Sequence, residues 1–191
     1  ARAISLVENA RAGFEELLSA LHPSLGHARR IGITGPPGAG KSTLTERLVQ
    51  AYRAQGLTVA VVAVDPTSPF TGGALLGDRI RMESIALDPG VFIRSMATRG
   101  HSGGLALAVP LAVRLFDAVG YDPVIIETVG VGQSEFAVAG MVDVFVLLQL
   151  PNAGDDLQAI KRGIVELADV VLITKADIDP QAAELARQQF A

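Results

Sequence analysis

The sequence of 191 residues predicts an α/β fold with a doubly wound, mainly parallel sheet. Three observations support this class. Near-continuous apolar runs such as residues 58–64 are typical of parallel strands that are buried on both faces. These runs alternate along the chain with segments whose apolar residues recur at helical spacing. Glycine-rich or polar loops follow the apolar runs, where sheets of this class bind their ligands.

The first 30 residues are expected to form a helical appendage ahead of the sheet. Within residues 1–21 the apolar side chains recur on one helical stripe, which comprises Ile4, Val7, Phe14, Leu17, Leu18 and Leu21. We expect this helix to pack on the following domain or on a second subunit. A membrane-surface helix is disfavoured because the polar face is not rich in lysine and arginine. Residues 22–30 are expected to be a linker.

Residues 31–191 are expected to form one domain of alternating strands and helices. Strands are predicted at 31–34, 58–64, 91–96, 123–128, 144–150 and 170–173. Helices are predicted at 43–55, 78–87, 105–119, 134–140 and 157–167. Pro110 falls inside one of them and is expected to kink it. A last helix begins at Asp179, whose side chain is a suitable cap, with Pro180 in the first turn.

Composition excludes several classes of protein. No apolar run approaches the ~20 residues of a membrane span, and no secretory signal or transit peptide is recognisable. The absence of cysteine excludes disulfides and thiolate metal sites and fits a cytoplasmic protein. A net charge of −4 gives no general basic surface, so we expect no nucleic-acid partner and no membrane partner. The sequence does not start with methionine, which fits a fragment of a longer chain.

The stretch IGITGPPGAGKST at residues 31–43 contains the pattern G-x-x-x-x-G-K-[ST] of a phosphate-binding P-loop. An apolar strand precedes the loop and a helical pattern follows it, so the positive end of a helix is expected to face the phosphates. A plain glycine-rich turn is the alternative, but the full motif in this context favours a nucleoside triphosphate. The residues expected to surround the nucleotide here are Gly35, Pro36, Pro37, Gly38, Ala39, Gly40, Lys41, Ser42 and Thr43.

Carboxylates stand at the predicted carboxyl ends of two strands. Asp65 follows the second strand and Glu127 ends the fourth. Because the carboxyl ends of parallel strands meet at one edge, both are expected beside the triphosphate, where they would contact Mg²⁺ directly or through one of its ligands. Hard oxygen ligands suit Mg²⁺. A single aspartate at a strand end is often only a turn or cap residue, but the set converging on one P-loop favours a metal site.

The segment Thr174-Lys-Ala-Asp177 follows the last predicted strand and is close to N-K-x-D, the guanine-reading motif of GTPases. A carboxylate at Asp177 can accept hydrogen bonds from guanine N1–H and the exocyclic amino group, which adenine does not offer as a pair. The stem of Lys175 can lie against the base. Thr174 replaces the usual asparagine with a shorter hydroxyl that offers fewer hydrogen bonds. A solvated surface turn is the alternative.

The order of these motifs resembles the MeaB/ArgK-type GTPases, the methylmalonyl-CoA mutase-associated GTPases that act as chaperones of adenosylcobalamin enzymes. The resemblance covers residues 31–179. The matching segments are GITGPPGAGKSTL, VAVDPTSPFTGGALLGDRIRM, FIRSMATRGHSGGL, ETVGVGQSE, LPNAGDDLQAIKRGI and TKAD. It implies GTP and GDP as ligands, Mg²⁺ as cofactor and a homodimer in the full-length protein. From the same resemblance, we expect the C-terminal arm that mediates dimerisation in relatives to be absent from this sequence.

The resemblance also implies roles for individual residues. Lys41 and Ser42 would hold phosphates and Mg²⁺, and Asp65 and Asp78 would join the Mg²⁺ shell on either side of a first switch. The catalytic set it implies is Lys41, Asp65, Asp78, Glu127 and Gly130, and its metal set is Ser42, Asp65, Asp78 and Glu127. Residues 129–135, with Gln133, would form a second switch. Residues 152–161, with Asp155 and Lys161, would form a third, in which Lys161 pairs with Glu127 in one nucleotide state.

One departure bears on the rate of hydrolysis. Fast GTPases carry a glutamine directly after the glycine of the second switch, where it orients the attacking water. Here that position is Val131, and Gln133 lies two residues further on. We therefore expect slow intrinsic hydrolysis and a partner that completes the site.

Three functions remain open at this point. The first is a GTPase that gates cofactor loading or protects an adenosylcobalamin-dependent acyl-CoA mutase such as methylmalonyl-CoA mutase. The second is an ATPase or kinase associated with a lysine/arginine/ornithine transport system. The third is a nucleotide-dependent binding module with negligible turnover. The T-K-A-D segment favours GTP over ATP.

Overall fold

The structure is a computed structural model that describes residues 3–4, 13–65, 82–97, 102–128, 134–151 and 162–190. The strands are β1 (Arg30–Thr34), β2 (Val59–Asp65), β3 (Val91–Ala97), β4 (Val124–Thr128), β5 (Val144–Gln149) and β6 (Val170–Ile173). The helices are α1 (Phe14–Leu21), α2 (Lys41–Ala54), α3 (Glu83–Ala86), α4 (Ser102–Ala118), α5 (Ser134–Ala139), α6 (Arg162–Glu166) and α7 (Pro180–Gln189), and a short 3-10 helix spans His22–Ser24.

The described strands form a six-stranded sheet in the order β3-β2-β4-β1-β5-β6. Each neighbouring pair in this order is parallel. The central strand β1 pairs with both β4 and β5, and Gly32 lies opposite Ile126 and Phe145. The carboxyl ends of β1, β4 and β5 are therefore adjacent at one edge of the sheet. The predicted mainly parallel α/β sheet is confirmed.

Helices cover both faces of the sheet, as expected for strands with apolar side chains on each side. On the face that we call the α2 face, Ile33, Ile125 and Leu148 pack with Val49 of α2 and Ile85 of α3. The opposite face, the α4 face, buries other side chains of the same strands against α4, α5 and α6. Its buried residues include Ile126, Leu147, Val113, Phe116, Val138 and Ile164. The sheet is thus doubly wound.

The described part of the amino-terminal segment lies on the α4 face. Ile4 is buried, and Leu17 and Leu21 pack against the same apolar cluster. Residues 5–12 lie outside the described residues, so one continuous helix over residues 1–21 stays a prediction. Where the helix of this stripe is described, it packs on the sheet domain rather than standing away from it.

The predicted linker is tied firmly to the amino-terminal edge of the sheet. The Asp117 carboxylate at the end of α4 accepts three consecutive backbone N–H groups, from Gly26 at 2.6 Å, His27 at 3.0 Å and Ala28 at 2.9 Å. Because one carboxylate satisfies three successive donors, the path of the chain into β1 is fixed by α4.

Two ion pairs continue this attachment. Arg29 pairs with Asp122 at 2.9 Å, and Arg30 pairs with Asp143. Burial alone would raise the pKa of Asp122, but the hydrogen bonds from Arg29 bring it below the usual value. The hydrogen bond with the Arg30 guanidinium likewise lowers the pKa of Asp143. Both carboxylates therefore stay charged at neutral pH and hold the start of β1.

Several element boundaries differ from those predicted. Helix α4 begins at Ser102 rather than at residue 105, and it continues through Pro110 without ending. Strand β2 includes Asp65 as its last residue. Two predicted helices are described only in part, as Glu83–Ala86 and Arg162–Glu166, since residues 78–81 and 157–161 lie outside the described residues. Over the described part of the chain, no helix is both long and apolar enough to cross a lipid bilayer.

Candidate nucleotide-binding site

The backbone of the P-loop adopts shapes that glycine permits. A Cβ atom added to Gly35 would lie 2.5 Å from the carbonyl oxygen of Leu148, so only glycine fits between β1 and β5 here. Gly38 and Gly40 have φ angles of +77° and +89°, in the left-handed region that other residues rarely adopt. Gly40 immediately precedes the first residue of α2. The loop therefore turns tightly onto the amino end of that helix.

The Lys41 side chain curls back over this loop. It is only 9% exposed, and its ammonium donates hydrogen bonds to the carbonyl oxygens of Gly35 at 2.8 Å and Pro36 at 3.0 Å. A buried cation at a helix amino terminus provides the charge that a phosphate requires. Among the other predicted loop residues, Ala39 is buried, Pro36 is half-buried, and Pro37 and Thr43 are exposed.

The Glu127 carboxylate is held by two hydroxyl groups of α2. Ser42 Oγ donates to Oε1 at 2.7 Å, and Thr45 Oγ1 donates to Oε2 at 2.9 Å. Glu127 is 9% exposed and Thr45 is fully buried. Ser42 and Thr45 are three residues apart, so they lie on the same side of the helix and face β4 together. The structure thus brings the predicted Ser42 and Glu127 into direct contact.

Thr45 was not among the predicted site residues. Its signal in the sequence is its spacing from Ser42, since position i+3 on a helix faces the same way as position i. That spacing alone does not identify Glu127 as the partner of Thr45, because Thr45 and Glu127 are 82 positions apart in the chain.

The oxygen atoms at this position suit a Mg²⁺ ion. A serine hydroxyl and a carboxylate are the hard ligands that Mg²⁺ prefers. Within the described residues, no group of three or more histidine, cysteine, aspartate or glutamate side chains could hold a metal by itself. A cation here would need phosphate oxygens and water to complete its shell, which is how Mg²⁺ is usually bound in nucleotide sites. The donor set therefore fits the predicted cofactor.

The other predicted metal and switch residues are described only in part. Asp65 is the last residue of β2, and since Ala63 pairs with Glu127, its backbone lies at the same edge of the sheet. The side chain of Asp65 is outside the described structure. The predicted residues Asp78, Gly130, Gln133, Asp155 and Lys161 also lie outside the described residues. Their roles stay predictions.

The predicted base-reading segment follows β6 at the same edge. Thr174 directs both its backbone N–H and its hydroxyl to the carbonyl oxygen of Gln149, at 2.8 and 3.1 Å. Lys175 has a φ of +55°, a left-handed conformation that costs a side chain such as lysine about 1 kcal/mol. Lys175 and Asp177 are both exposed. Since β5 separates β6 from β1, this segment begins roughly 10 Å from the P-loop strand.

The residue that Thr174 contacts carries a buried amide, which was also not predicted. The side chain of Gln149 is fully buried, and its Oε1 and Nε2 atoms have no hydrogen-bond partner among the described residues. It alternates along β5 with Leu148, so it projects to the α4 face together with Leu147. Nothing in the sequence distinguishes it from the polar residue that commonly ends a strand.

Comparison with known proteins identifies the family of this chain. A family model described as methylmalonyl Co-A mutase-associated GTPase MeaB matches residues 1–191. The chain belongs to the MeaB family. The resemblance noted in the sequence is thereby confirmed.

Individual relatives agree with this membership. The chain is 55% identical over 177 residues to a putative GTPase of Pyrococcus abyssi, covering 93% of this chain and 55% of the relative. It is 48% identical over 183 residues to the GTPase ArgK of Escherichia coli, covering 94% of this chain and 55% of ArgK. Among solved structures, one described as a LAO/AO transport system kinase matches with a TM-score of 0.76 and 39% identity, covering 99% of this chain and 56% of that one. This MeaB-family chain thus spans about half the length of these relatives.

Proposed function

We propose that this MeaB-family chain is the nucleotide-binding part of a protein that binds and hydrolyses GTP with Mg²⁺. The observation that carries the proposal is the contact between the P-loop residue Ser42 and the strand-end carboxylate Glu127, at 2.7 Å. A glycine-lined loop, a buried lysine and this hydroxyl–carboxylate pair meet at one edge of the sheet. Family membership supports GTP as the substrate, because the relatives are named GTPases.

In this proposal, different residues of the chain bind the phosphates, the metal ion and the base. The P-loop backbone and Lys41 bind and orient the outer phosphates. Ser42 donates a hydrogen bond to Glu127, which leaves its oxygen lone pairs available for Mg²⁺. When bound, Mg²⁺ neutralises charge on the phosphate oxygens. Asp177, at the far end of the site, accepts hydrogen bonds from the guanine edge. Val131 offers no group to orient water, so intrinsic hydrolysis is slow.

We further propose that the full-length protein acts on an adenosylcobalamin-dependent acyl-CoA mutase such as methylmalonyl-CoA mutase. Support comes from the description of the family model as mutase-associated. In this proposal, GTP hydrolysis gates cofactor loading or protects the mutase, and residues 129–135 and 152–161 report the nucleotide state. The division at residue 30, a homodimer of the full-length protein and a cytoplasmic location belong to the same proposal. The lack of cysteine fits that location.

One experiment separates this function from its alternatives. The full-length protein is incubated with labelled GTP or ATP, with and without methylmalonyl-CoA mutase, and a Lys41→Ala protein serves as the control. Free phosphate that appears from GTP faster with the mutase supports the proposal. Label on a protein would favour the kinase of a transport system, the description given to one similar structure. Nucleotide binding without either outcome would leave a binding module.

A further inference from the structure

The hydroxyl of Thr45 is committed to a carboxylate rather than to its own helix. Threonine within a helix commonly donates to the carbonyl oxygen four residues earlier. Here Thr45 Oγ1 instead contacts Glu127 Oε2 on β4 at 2.9 Å, and the threonine is fully buried. A buried hydroxyl that bonds a carboxylate at the edge of the nucleotide site indicates a role beyond packing.

The two oxygens of Glu127 have different helix partners. Oε1 accepts the hydrogen bond of Ser42 at 2.7 Å, and Oε2 accepts that of Thr45 at 2.9 Å. Contacts to both oxygens restrict the rotation of a carboxylate about its last bond more than a contact to one oxygen does. Thr45 therefore helps to hold Oε1 toward the Ser42 hydroxyl, and through Oε1 it helps to orient that hydroxyl.

We propose that Thr45 is a positioning residue for Mg²⁺ in this site. By holding Oε2 of Glu127, it keeps Oε1 in place to accept the hydrogen bond of Ser42, so that the Ser42 lone pairs face the cation. The inference rests on the proposed GTP–Mg²⁺ function and extends it to a residue three positions beyond the P-loop serine. Partners of this kind orient metal ligands, and their loss typically weakens metal binding by ~10- to 100-fold.

The substitution Thr45→Val tests this directly, because valine keeps the shape of threonine and removes its hydroxyl. Retention of a fluorescent GDP by the full-length protein is measured while Mg²⁺ is titrated, and again with excess EDTA. We expect the Mg²⁺ concentration at half-maximal retention to rise about 10-fold in Thr45→Val. Affinity in EDTA should match that of the parent, because Thr45 is fully buried and its hydroxyl is engaged with Glu127.

Two further comparisons separate positioning from packing. Thr45→Ser and Thr45→Ala both lose the methyl group, but only serine keeps the hydroxyl, so serine should titrate like the parent and alanine like valine. Thr34→Val is the matched control. Thr34 accepts a buried hydrogen bond from Thr128 at 2.8 Å, next to Glu127 in sequence but on the opposite face of the sheet. Its loss should lower stability without shifting the Mg²⁺ titration.

The inference is overturned if Thr45→Val and Thr45→Ala titrate with Mg²⁺ like the parent. It is also overturned if both variants bind GDP more weakly than the parent by the same factor with Mg²⁺ and with excess EDTA, because the effect would then be structural. Failure of the proposed function looks different, because the parent itself would show no Mg²⁺-dependent retention of GDP, and that result would remove both proposals together.

Discussion

The two ends of the candidate site are built differently. At the phosphate end, Lys41 and Glu127 are each only 9% exposed, and both are held by hydrogen bonds from or to the P-loop and α2. At the base end, Lys175 and Asp177 are exposed, and the buried amide of Gln149 has no hydrogen-bond partner within the part of the chain that the structure describes. Charge is organised at one end of the site and left to solvent at the other.

This difference separates affinity from selectivity. A pre-organised site loses little conformational freedom when its ligand binds, so the phosphate end should supply most of the binding free energy. Every nucleoside triphosphate carries the same phosphates, and that end cannot distinguish them. In the proposed function, discrimination between bases comes from Asp177, which is exposed in this structure. Three substitutions test this division between the two ends of the site.

Lys41→Ala should have the largest effect. It removes the buried ammonium and the charge-assisted hydrogen bonds that it would make to phosphate, which are worth about 1.5–3 kcal/mol each. We expect affinity for GTP, GDP and ATP to fall by about 100-fold, in parallel, when measured by isothermal titration calorimetry. Full affinity for GTP in this variant would contradict the P-loop assignment. A change in preference between GTP and ATP would mean that the two ends are not independent.

Asp177→Asn should have a smaller and more selective effect. The amide cannot accept both guanine donors, but it can donate to the C2 carbonyl of xanthine. We expect GTP affinity to fall by about 30-fold and XTP affinity to rise, in competition against a labelled nucleotide. Asp179→Asn is the matched control, since Asp179 accepts a hydrogen bond from the Ala182 N–H at the start of α7 and asparagine also caps helices. An Asp177→Asn protein with unchanged preference would move base recognition elsewhere.

Gln149→Met should have the smallest effect, and it should stabilise the folded protein rather than weaken nucleotide binding. Methionine has a similar volume and no polar group that needs a partner, so the free energy of unfolding should rise by about 1 kcal/mol. Thermal unfolding without nucleotide would then shift upward by roughly 2–4 °C for a chain of this size. A lower unfolding temperature would show that the amide makes a hydrogen bond in solution.

Much of the fold was predictable because it depends on local pattern. The apolar run at residues 58–64 and the cap at Asp179 lead to β2 and α7 as expected, since burial on both faces and helix capping leave signals within a few residues. A kink was expected at Pro110. The helix continues through this residue, and its neighbours Val109, Ala112 and Val113 are buried in the cluster on the α4 face.

The contacts within the site were predictable only by residue type. Glu127 was expected near the P-loop from the rule that strand ends converge, but the role of Thr45 depends on a contact across 82 residues. The same holds for Gln149, whose amide has no hydrogen-bond partner among the residues described, because this depends on packing and leaves no signal in the sequence. Sequence patterns locate an edge of the sheet, whereas hydrogen-bond geometry is decided by the assembled structure.

The three hydrogen bonds that Asp117 accepts from successive backbone N–H groups affect where a spectroscopic label can usefully be placed. Gly26, His27 and Ala28 are hydrogen-bonded to the end of α4, and Leu17 and Leu21 of α1 pack on the α4 face, so α1 is held to the sheet both through its own packing and through the segment that follows it. A spectroscopic label attached at the exposed Ser19 of α1 would therefore tumble with the whole particle, and its anisotropy would register the size of any complex that forms.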